Sequence, residues 1–301
     1  DVFRQLFDEV VLYAYDNNFI EGKILYTDST HLKANANKKK LIRKIVSENT
    51  KAYLEELEKA VEDDRKAHGK KPLPPKKTNE DTPTKEIKVS TTDPDSGYLA
   101  REGKPEGFHY LDHRTCDNKH NLITDVHITP GSTNDSTVYL DRLDHQVERF
   151  GFEVEAVGLD SGYHTARICK TLTDRDIFAV VAYRKPGGPK GLYRKSKFAY
   201  DPTNDCYTCP RGHILKYRST TRAGFLEYVS DSKVCCNCPN RKECTNSKNC
   251  QKVVTRHVWE RYYEKVKENR KTERGEYIKR RRSETIERSF ADAKQLHGYR
   301  Y

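Results

Sequence analysis

Long apolar runs are missing from this sequence of 301 residues, and so is a recognisable signal peptide. No run approaches the roughly 18 apolar residues that a membrane-spanning helix needs, so we expect no membrane partner. Only 35% of the residues are hydrophobic, whereas 34% are charged. The core must therefore be concentrated in a few segments, although the length suffices for one large domain or for a domain with insertions.

Methionine is absent altogether. The first residue, Asp1, therefore cannot be a natural translation start without processing, and the sequence stops at Tyr301 directly after a strongly helical pattern. We expect an internal fragment that lacks an amino-terminal region.

Positive charge is in excess, since 56 Lys and Arg residues stand against 45 Asp and Glu residues and leave a net charge of +11. Such a surface attracts the phosphate backbone of nucleic acids. A basic protein without a nucleic-acid partner is the alternative. The missing signal peptide and membrane span lead us to expect an intracellular protein.

Hydrophobic periodicity predicts alternating helices and strands. Amphipathic helices are predicted for residues 1–18 and around STVYLDRLDHQVERF and TARICKTLTDR, and buried strands for GKILYTD, FEVEAVGLD and IFAVVAY. A hairpin is predicted for residues 107–129, with DNKH as its turn. Residues 41–67 have helical spacing and precede a solvated Pro- and Lys-rich linker. With a last helix from Tyr277 to Leu296, this order predicts an α/β mixed sheet flanked by helices.

Acidic residues stand out at the ends of two predicted strands and on the last predicted helix. Asp28 and Asp160 each close a strand, and Glu284 and Glu287 lie on the helix. Carboxylates gathered at one sheet edge repel each other without a cation, and Mg²⁺ prefers hard oxygen ligands. Two such ions about 4 Å apart can activate an attacking oxygen and stabilise a leaving oxygen in phosphodiester chemistry. For each residue alone, a turn, a helix cap or a solvated side chain is the ordinary alternative.

The sequence resembles the ribonuclease-H-like DDE transposases of bacterial insertion sequences, in particular the group with a Tyr-Arg-Glu-Lys signature. The resemblance lies in YTDSTHLKANANKKK, in the stretch from STTDPDSG to ITPGSTNDS, in GLDSGYHT and in ETIERSFADAKQLHGYRY. It implies that Asp28, Asp160 and a glutamate of the last helix are the catalytic acids that hold two Mg²⁺ ions, with Mn²⁺ as a substitute. It also implies a cysteine-rich insertion before the last helix.

The resemblance and the order of elements together divide the chain. We expect residues 1–22 to be the end of an amino-terminal helical region, and residues 23–183 to form the ribonuclease-H-like core with an insertion at 41–96. Residues 184–270 would form the cysteine-rich insertion, and residues 271–301 would carry the catalytic helix of the core.

Two glutamates compete for the third catalytic position. Glu284 fits the first part of the signature and Glu287 fits the second part. Helix geometry favours Glu287, because Arg280, Glu287 and Lys294 are seven positions apart and share one stripe at the edge of an apolar face. That apolar face consists of Ile286, Phe290 and Ala293. Glu284 is then left as a partner for Arg280.

Seven of the nine cysteines lie between residues 184 and 270. Two pairs have the two-residue spacing with which thiolates reach one Zn²⁺ from a single turn. The expected ligands are Cys206, Cys209, Cys235 and Cys238, with Cys236 and Cys244 as substitutes. Unligated thiols are the alternative, and disulfides are disfavoured because nothing marks secretion. The resemblance supports a metal-bound subdomain, because relatives carry a similar cysteine-containing insertion.

Basic side chains occur close in sequence to the predicted acids. Cations beside an acidic metal site draw a phosphate backbone across it. We expect Lys33, Arg280 and Lys294 to contact DNA, whereas residues 38–40 fit a solvated charge run equally well.

Four further residues are expected to be structural. His109 and His113 share one face of a predicted strand and are expected to face outward, because nothing else there completes a metal-ligand set. Cys116 and Cys169 lie in a predicted strand and a predicted helix and are expected in the core.

The resemblance implies a transposase catalytic core that cuts DNA at the ends of an insertion element and joins the freed 3′-hydroxyl to target DNA. The expected partners are element ends and target DNA, bound by a homodimer in the bacterial cytoplasm near the nucleoid. A nuclease of the same fold that cuts without joining is one alternative. A non-catalytic, domesticated DNA-binding relative is another, although the presence of all three acids argues against it.

Overall fold

A computed structural model describes residues 2–47, 51–74, 84–100, 103, 106–183 and 191–299. The chain divides into two compact units. The first unit comprises Asp1–Glu48, Asp81–Arg184 and Tyr262–Tyr301, and the second comprises Asn49–Glu80 and Lys185–Arg261. Part of the insertion predicted at 41–96 thus groups with the cysteine-rich segment.

Helices and strands are numbered separately in chain order. The helices are α1 Val2–Asp16, α2 Lys51–Ala67, α3 Asp135–Phe150, α4 Ala166–Asp174, α5 Ser232–Cys236, α6 Arg241–Cys244, α7 Glu260–Asn269, α8 Glu273–Glu284 and α9 Ile286–Leu296. The strands are β1 Ile24–Lys33, β2 Leu41–Ser47, β3 Thr84–Ser90, β4 Gly97–Leu99, β5 Gly107–Asp117, β6 Ile123–Pro130, β7 Ala156–Leu159, β8 Phe178–Val181, β9 Ala199–Asp201, β10 Cys206–Thr208, β11 Ile214–Thr220, β12 Phe225–Ser230 and β13 Val253–His257. None of the helices in the described residues is both long and apolar enough to cross a membrane.

The central sheet of the first unit has the strand order β4-β5-β1-β7-β8, and β6 pairs with β5. Strand β5 runs antiparallel to both β1 and β6, whereas β7 runs parallel to β1 and to β8. The hairpin predicted for residues 107–129 is formed by β5 and β6. The predicted α/β fold, a mixed sheet with helices packed against it, is therefore confirmed.

Close packing holds the last helices against this sheet. Strand β7 reads Ala-Val-Gly-Leu and is buried along its whole length, as expected of a parallel strand covered on both faces. A Cβ at Gly158 would lie 2.6 Å from the Tyr26 ring and 3.1 Å from Ile278. The missing side chain therefore lets α8 approach the strand closely. The buried cluster around this contact contains Tyr26, Cys116, Ala156, Val180, Ile278, Ile286 and Phe290.

Two segments differ from the predicted helices. Residues 41–47 form a strand paired with β3, because the β-branched residues of LIRKIVS favour an extended backbone more than its spacing favours a helix. The last helix is interrupted at Thr285, whose φ of −107° and ψ of −91° are not helical. Sequence spacing across this break therefore does not place residues on one helical stripe.

The second unit is built on an antiparallel sheet with the order β13-β12-β11-β10-β9. The carboxylate of Asp205 accepts hydrogen bonds from the hydroxyls of Tyr200 at 2.7 Å and Tyr228 at 2.5 Å. Its other oxygen lies 2.8 Å from Nε2 of His68, which directly follows α2. This carboxylate therefore ties α2 to the sheet. The core of the sheet contains Phe198, Tyr207, Leu215, Leu226, Tyr228 and Val254.

Candidate active site

Asp28 and Asp160 lie on adjacent strands of the central sheet. The parallel pairing of β1 with β7 runs as far as Thr27 opposite Leu159, so the next residues along the two strands are the two acids. Asp160 directly follows β7, as predicted, whereas Asp28 lies inside β1 rather than at its end. Strand β1 continues because its other edge stays paired with β5. This correction leaves the two acids side by side.

The side chain of Asp160 is not used for turn formation. Asp160 precedes the 3-10 turn Ser161–Tyr163 in an extended conformation, yet within the described residues its side chain makes no capping hydrogen bond. The ordinary alternative, an aspartate that stabilises a turn, therefore does not account for this residue.

Asp28 is mostly buried and accepts two hydrogen bonds. One comes from the backbone N–H of Ser29 at 2.8 Å and the other from Nη2 of Arg282 at 2.5 Å. Burial raises the pKa of Asp28 to about 6, Arg282 and Ser29 act in the opposite direction, and the carboxylates of Asp160 and Asp135 raise it further. The charged form of Asp28 therefore needs a neighbouring cation.

Arg282 supplies that charge and joins Asp28 to Glu287. Its Nη1 lies 2.6 Å from Oε1 of Glu287, while Nη2 contacts Asp28. The Arg282 side chain is only 13% exposed, and its Nε has no hydrogen-bond partner among the described residues. Glu287 lies in the first turn of α9 with its side chain 48% exposed, next to the buried Ile286 of the apolar face.

Glu284 faces a different part of the first unit. Its carboxylate forms an ion pair with Arg281 at 2.8 Å, and Arg281 also donates to the backbone carbonyl of Asn118 at 2.8 Å in the turn between β5 and β6. The predicted partner, Arg280, is exposed, with its guanidinium carbon 6.0 Å from the centre of the Tyr277 ring. The expected Arg280–Glu284 pair is therefore wrong, because Arg281 is the arginine that turns toward Glu284.

Two charged residues at this site, Arg282 and Asp135, are not among the site residues predicted from the sequence. The basic run at 280–282 predicts phosphate contacts but gives no signal for which arginine turns inward. Asp135 is the first residue of α3, follows the N-cap Asn134 and lies close enough to Asp28 to raise its pKa. Its Oδ2 is 3.5 Å from where a Cβ of Gly162 would stand. An acid at a helix start is too common to mark a site.

The three predicted DNA-contact residues occupy different positions. Lys33 is exposed at the end of β1. Nζ of Lys294 donates to Oγ1 of Thr30 at 2.8 Å, which holds α9 against the strand that carries Asp28. Arg280 is exposed on α8. The structure thus brings Lys294 to within two residues of Asp28 along β1.

His109 and His113 are buried, with 7% and 4% exposure. The expectation that they face outward is therefore wrong, because β5 is paired on both edges and buried along nearly its whole length. Nε2 of His113 lies 2.9 Å from Oγ1 of Thr129, and burial lowers the pKa of this imidazole to about 4. Cys116 and Cys169 are fully buried, which confirms that they belong to the core.

The donor chemistry of the acidic site fits a divalent ion. Across the described ranges, no group of three or more His, Cys, Asp or Glu side chains is placed so that it could hold a metal ion as it stands. The oxygens of Asp28, Asp160 and Glu287 are nevertheless the hard ligands that Mg²⁺ prefers. Arg282 lies between two of these acids and provides the positive charge that they require.

The cysteines expected to bind zinc do not all point toward one place in the second unit. Cys206 lies in β10 and Cys209 directly after it. Residues three apart along an extended strand point to opposite faces, so these two thiols do not converge as they would from a single turn. Burial and the carboxylates of Asp201 and Asp205 raise the pKa of Cys206. A raised pKa disfavours the thiolate that zinc binds, so Cys206 is the least suitable of the four expected ligands.

The other cysteines differ in how they are placed. Cys235 and Cys238 share a turn in which the N–H of Cys238 donates to the carbonyl of Cys235 at 3.3 Å. Cys236 points elsewhere and forms a disulfide with Cys250, with 5.1 Å between their Cα atoms. The expectation against disulfides is therefore wrong for this pair, and Cys236 is not a substitute zinc ligand.

One family model matches part of the chain. Residues 208–301 match the family model described as "Transposase DDE domain". A search of curated proteins finds no match to this sequence. The match to residues 208–301 confirms the resemblance to DDE transposases.

Two solved structures are similar to the chain. In the "Mos1 transposase paired-end complex with left transposon end", the similar region has 16% identity, covers 60% of this chain and 41% of that chain, and has a TM-score of 0.24. In the "Crystal structure of the Mos1 mariner paired end complex with Mn", the values are 14%, 62%, 43% and 0.25. The similar region thus spans less than half the length of each Mos1 chain.

Proposed function

From the DDE transposase domain identified in residues 208–301, we propose that this chain is the catalytic core of a DNA transposase. The substrate would be the ends of an insertion element, cut by metal-dependent hydrolysis and then joined to target DNA. One observation carries this proposal. Arg282 forms ion pairs with both Asp28 and Glu287, and Asp160 lies next to Asp28 on the neighbouring strand.

Asp28, Asp160 and Glu287 would hold the divalent ions, Mg²⁺ or Mn²⁺. When bound, two such ions stabilise negative charge on the attacking and leaving oxygens of a phosphodiester. Asp28 and Asp160 have fixed positions because the sheet register sets them, whereas Glu287 enters from the start of α9. The burial of Asp28 disfavours its unneutralised charge and so favours uptake of a cation.

Cleavage and joining use one site with two nucleophiles. In cleavage, the oxygen of a water molecule attacks the scissile phosphorus, and the bond to the 3′-oxygen breaks and leaves a 3′-hydroxyl. In joining, that 3′-hydroxyl attacks a phosphodiester of the target strand and displaces its 3′-oxygen. The chain's own contribution is to orient the phosphate. Lys33 at the end of β1 and Lys294 of α9, whose Nζ contacts Thr30 of β1, are placed for this role near Asp28.

The partners follow from the same reaction. The net charge of +11 favours DNA as the partner, and two element ends are handled together most simply by a homodimer assembled on DNA. The reaction requires access to chromosomal DNA, which in a bacterium lies in the cytoplasm.

We assign the third acid to Glu287 rather than Glu284. Glu287 shares Arg282 with Asp28, whereas Glu284 is paired with Arg281 beside the β5–β6 turn. Both glutamates are similarly exposed, so exposure does not distinguish them.

The matched variants Glu287→Gln and Glu284→Gln test this assignment. The assay follows Mg²⁺-dependent cutting of duplexes that carry the terminal sequences of the element encoding this chain. We expect Glu287→Gln to lower cleavage about a hundredfold or more, since a charge-stabilising group is lost, with DNA binding unchanged. Glu284→Gln should retain cleavage. The reverse pattern would transfer the role to Glu284.

A pre-cut end distinguishes a transposase from a nuclease of the same fold. The wild-type chain should join a duplex with a free 3′-hydroxyl to plasmid DNA. Cleavage without any joining would support the nuclease, and DNA binding without either reaction would support the non-catalytic relative.

A further inference from the structure

We propose that Cys209, Cys235, Cys238 and Cys244 bind one Zn²⁺ ion in the second unit. This site lies outside the acidic site and does not depend on the proposed transposase function. It replaces Cys206, one of the ligands expected from sequence spacing, with Cys244.

All four residues line one cavity of the second unit. The thiols of Cys235, Cys209 and Cys238 lie close enough to the Cys244 thiol to act on it electrostatically. Cys244 is therefore near each of the other three thiols, and all four residues share one cavity. Cys206 does not appear among the cavity-lining residues in the described part of the chain.

Turns and helix ends carry these four cysteines to the cavity. Cys209 begins a tight turn in which the N–H of Gly212 donates to the Cys209 carbonyl at 2.9 Å. The N–H of Arg211 points at Sγ of Cys209, 3.4 Å away, as backbone donors do around metal-bound thiolates. Cys235 and Cys238 share the turn after α5, and Cys244 ends α6.

Charge compensation supports a thiolate site. Four thiolates around Zn²⁺ carry a net charge of −2 once their protons have passed to solvent. Nζ of Lys252 lies 2.9 Å from the carbonyl of Cys244 and 3.0 Å from the carbonyl of Tyr193, next to the cavity. This half-buried ammonium offsets part of the negative charge.

Zinc is the ion that this donor set selects. A tetrahedral set of four sulfurs is typical of structural Zn²⁺ or of iron–sulfur centres. Among the described residues, no three of these side chains are placed so that they could already hold a metal ion, so the side chains must close around the ion. Closure would link the turn after β10 to α5 and α6, which lie at some distance along the chain.

The test compares two buried or half-buried cysteines in the full chain, Cys244→Ser and Cys206→Ser. The proteins are purified without chelator and analysed for zinc and iron. We expect one zinc per chain in the wild type and in Cys206→Ser, and loss of zinc in Cys244→Ser. Zinc lost from Cys206→Ser but kept by Cys244→Ser would overturn the proposed ligand set, and a wild type that holds iron or no metal would overturn the zinc site.

A rescue variant separates ligation from packing. Cys244→His keeps a zinc-binding side chain and should retain the metal, whereas a merely structural role for Cys244 predicts no difference in zinc content between Cys244→His and Cys244→Ser. Replacement of zinc by Co²⁺ should give the intense visible absorption of a tetrahedral thiolate site in the wild type and in Cys206→Ser. Weak absorption of an octahedral ion in the wild type would contradict the proposal.

Discussion

Arg282 is the residue on which the charge balance of the acidic site depends. Its guanidinium neutralises Asp28 and Glu287 through separate nitrogens. A divalent ion would need the same carboxylate oxygens. Arg282 and such an ion would therefore compete for the acids, and binding of the ion would require the arginine to release at least one of them.

We predict that Arg282→Gln destabilises the metal-free protein and strengthens metal binding. The free energy of unfolding in EDTA should fall by about 1–3 kcal/mol, because two partly buried carboxylates lose their charged partner. The dissociation constant for Mn²⁺, measured by calorimetry, should fall about tenfold, since no cation has to be displaced.

Arg280→Gln is the matched control, because Arg280 is exposed on the same helix. It should change neither quantity. Weaker Mn²⁺ binding in Arg282→Gln would contradict the competition and would mean that the arginine organises the acids for the ion.

At this scale the sequence predicts residues whose position follows from the backbone. Asp28 and Asp160 are predictable because two neighbouring strands bring them to the same edge. Arg282 is not, because three consecutive arginines look alike in sequence and only the path of the helix decides which one faces the sheet. Cys206 shows the same limit, since its two-residue spacing from Cys209 implies a turn where the backbone is extended.

Among the elements, α9 determines where Glu287 can lie. Phe290 is 6% exposed and packs in the buried cluster, and the guanidinium carbon of Arg114 lies 4.8 Å from the centre of its ring. Arg114 also donates to Oγ of Ser289 at 3.1 Å. Apolar packing and one arginine from β5 therefore fix this helix on the sheet.

We predict that Phe290→Ala costs about 3–5 kcal/mol of unfolding free energy, the usual loss for a buried aromatic. Cleavage activity should also fall, because Glu287 loses its support. Urea denaturation checks the first effect and the duplex-cutting assay the second. Leu296→Ala is the control on the same helix, since Leu296 is 73% exposed; a comparable loss there would contradict the packing argument.

The link between α2 and the second sheet should depend on pH. Burial acts to lower the pKa of His68, but its hydrogen bonds to Asp205 and to the carbonyl of Asp64 outweigh burial and raise it. Burial acts to raise the pKa of Asp205, but hydrogen bonds from Tyr228, His68 and Tyr200 lower it. The contribution of His68 to folding stability is thus fully present below the pKa of His68 in the unfolded chain, and it is lost as pH rises through the pKa in the folded protein. The contribution of Asp205 is lost as pH falls through the pKa of Asp205 in the folded protein.

We therefore predict that His68→Gln destabilises the second unit more at about pH 5.5 than at about pH 8.5, by roughly 1 kcal/mol for a charge-assisted hydrogen bond. The single tryptophan, Trp259, is buried in this unit and reports its unfolding by fluorescence. Tyr200→Phe removes a hydrogen bond to Asp205 without removing the imidazole, so its cost should be similar at both pH values. An equal cost of His68→Gln at both values would contradict the prediction.

Elements with one strong period are predictable from sequence, and mixed signals are not. The hairpin of β5 and β6 and the strands β7 and β8 follow from alternation or from short apolar runs. Residues 41–47 carry both a helical spacing and β-branched side chains, and pairing with β3, far along the chain, decides for the strand. The break at Thr285 has no proline or glycine to mark it.

At the scale of the whole molecule, the positive charge should govern DNA binding. We predict that Lys33→Ala and Lys294→Ala each reduce the salt dependence of binding, so that the slope of log K against log salt falls in magnitude by about one. Fluorescence anisotropy of a labelled duplex over a series of salt concentrations measures this slope.

Lys23→Ala is the control for this measurement, because Lys23 is paired with Glu155 at 2.9 Å. Its slope should match the wild type. An unchanged slope in Lys33→Ala and Lys294→Ala would show that phosphate contacts are made elsewhere on the basic surface.

The division of the chain depends on contacts that sequence order hides. Residues 49–80 and 185–261 form one unit although more than a hundred residues separate them. Composition indicates that both segments are insertions in the core, but only contacts such as that of His68 with Asp205 show that the two segments form one unit.

The interruption at Thr285 has a consequence for how this protein tolerates change. In one unbroken helix, adding a residue anywhere upstream would swing Glu287 about 100° around the axis. Helix α9 begins anew after the break and packs on the sheet through its own apolar face. A residue could therefore be added to or removed from α8 without changing the direction in which the Glu287 side chain points. The glutamate proposed to bind metal would thereby keep its position when the length of the arginine-rich helix before it changes.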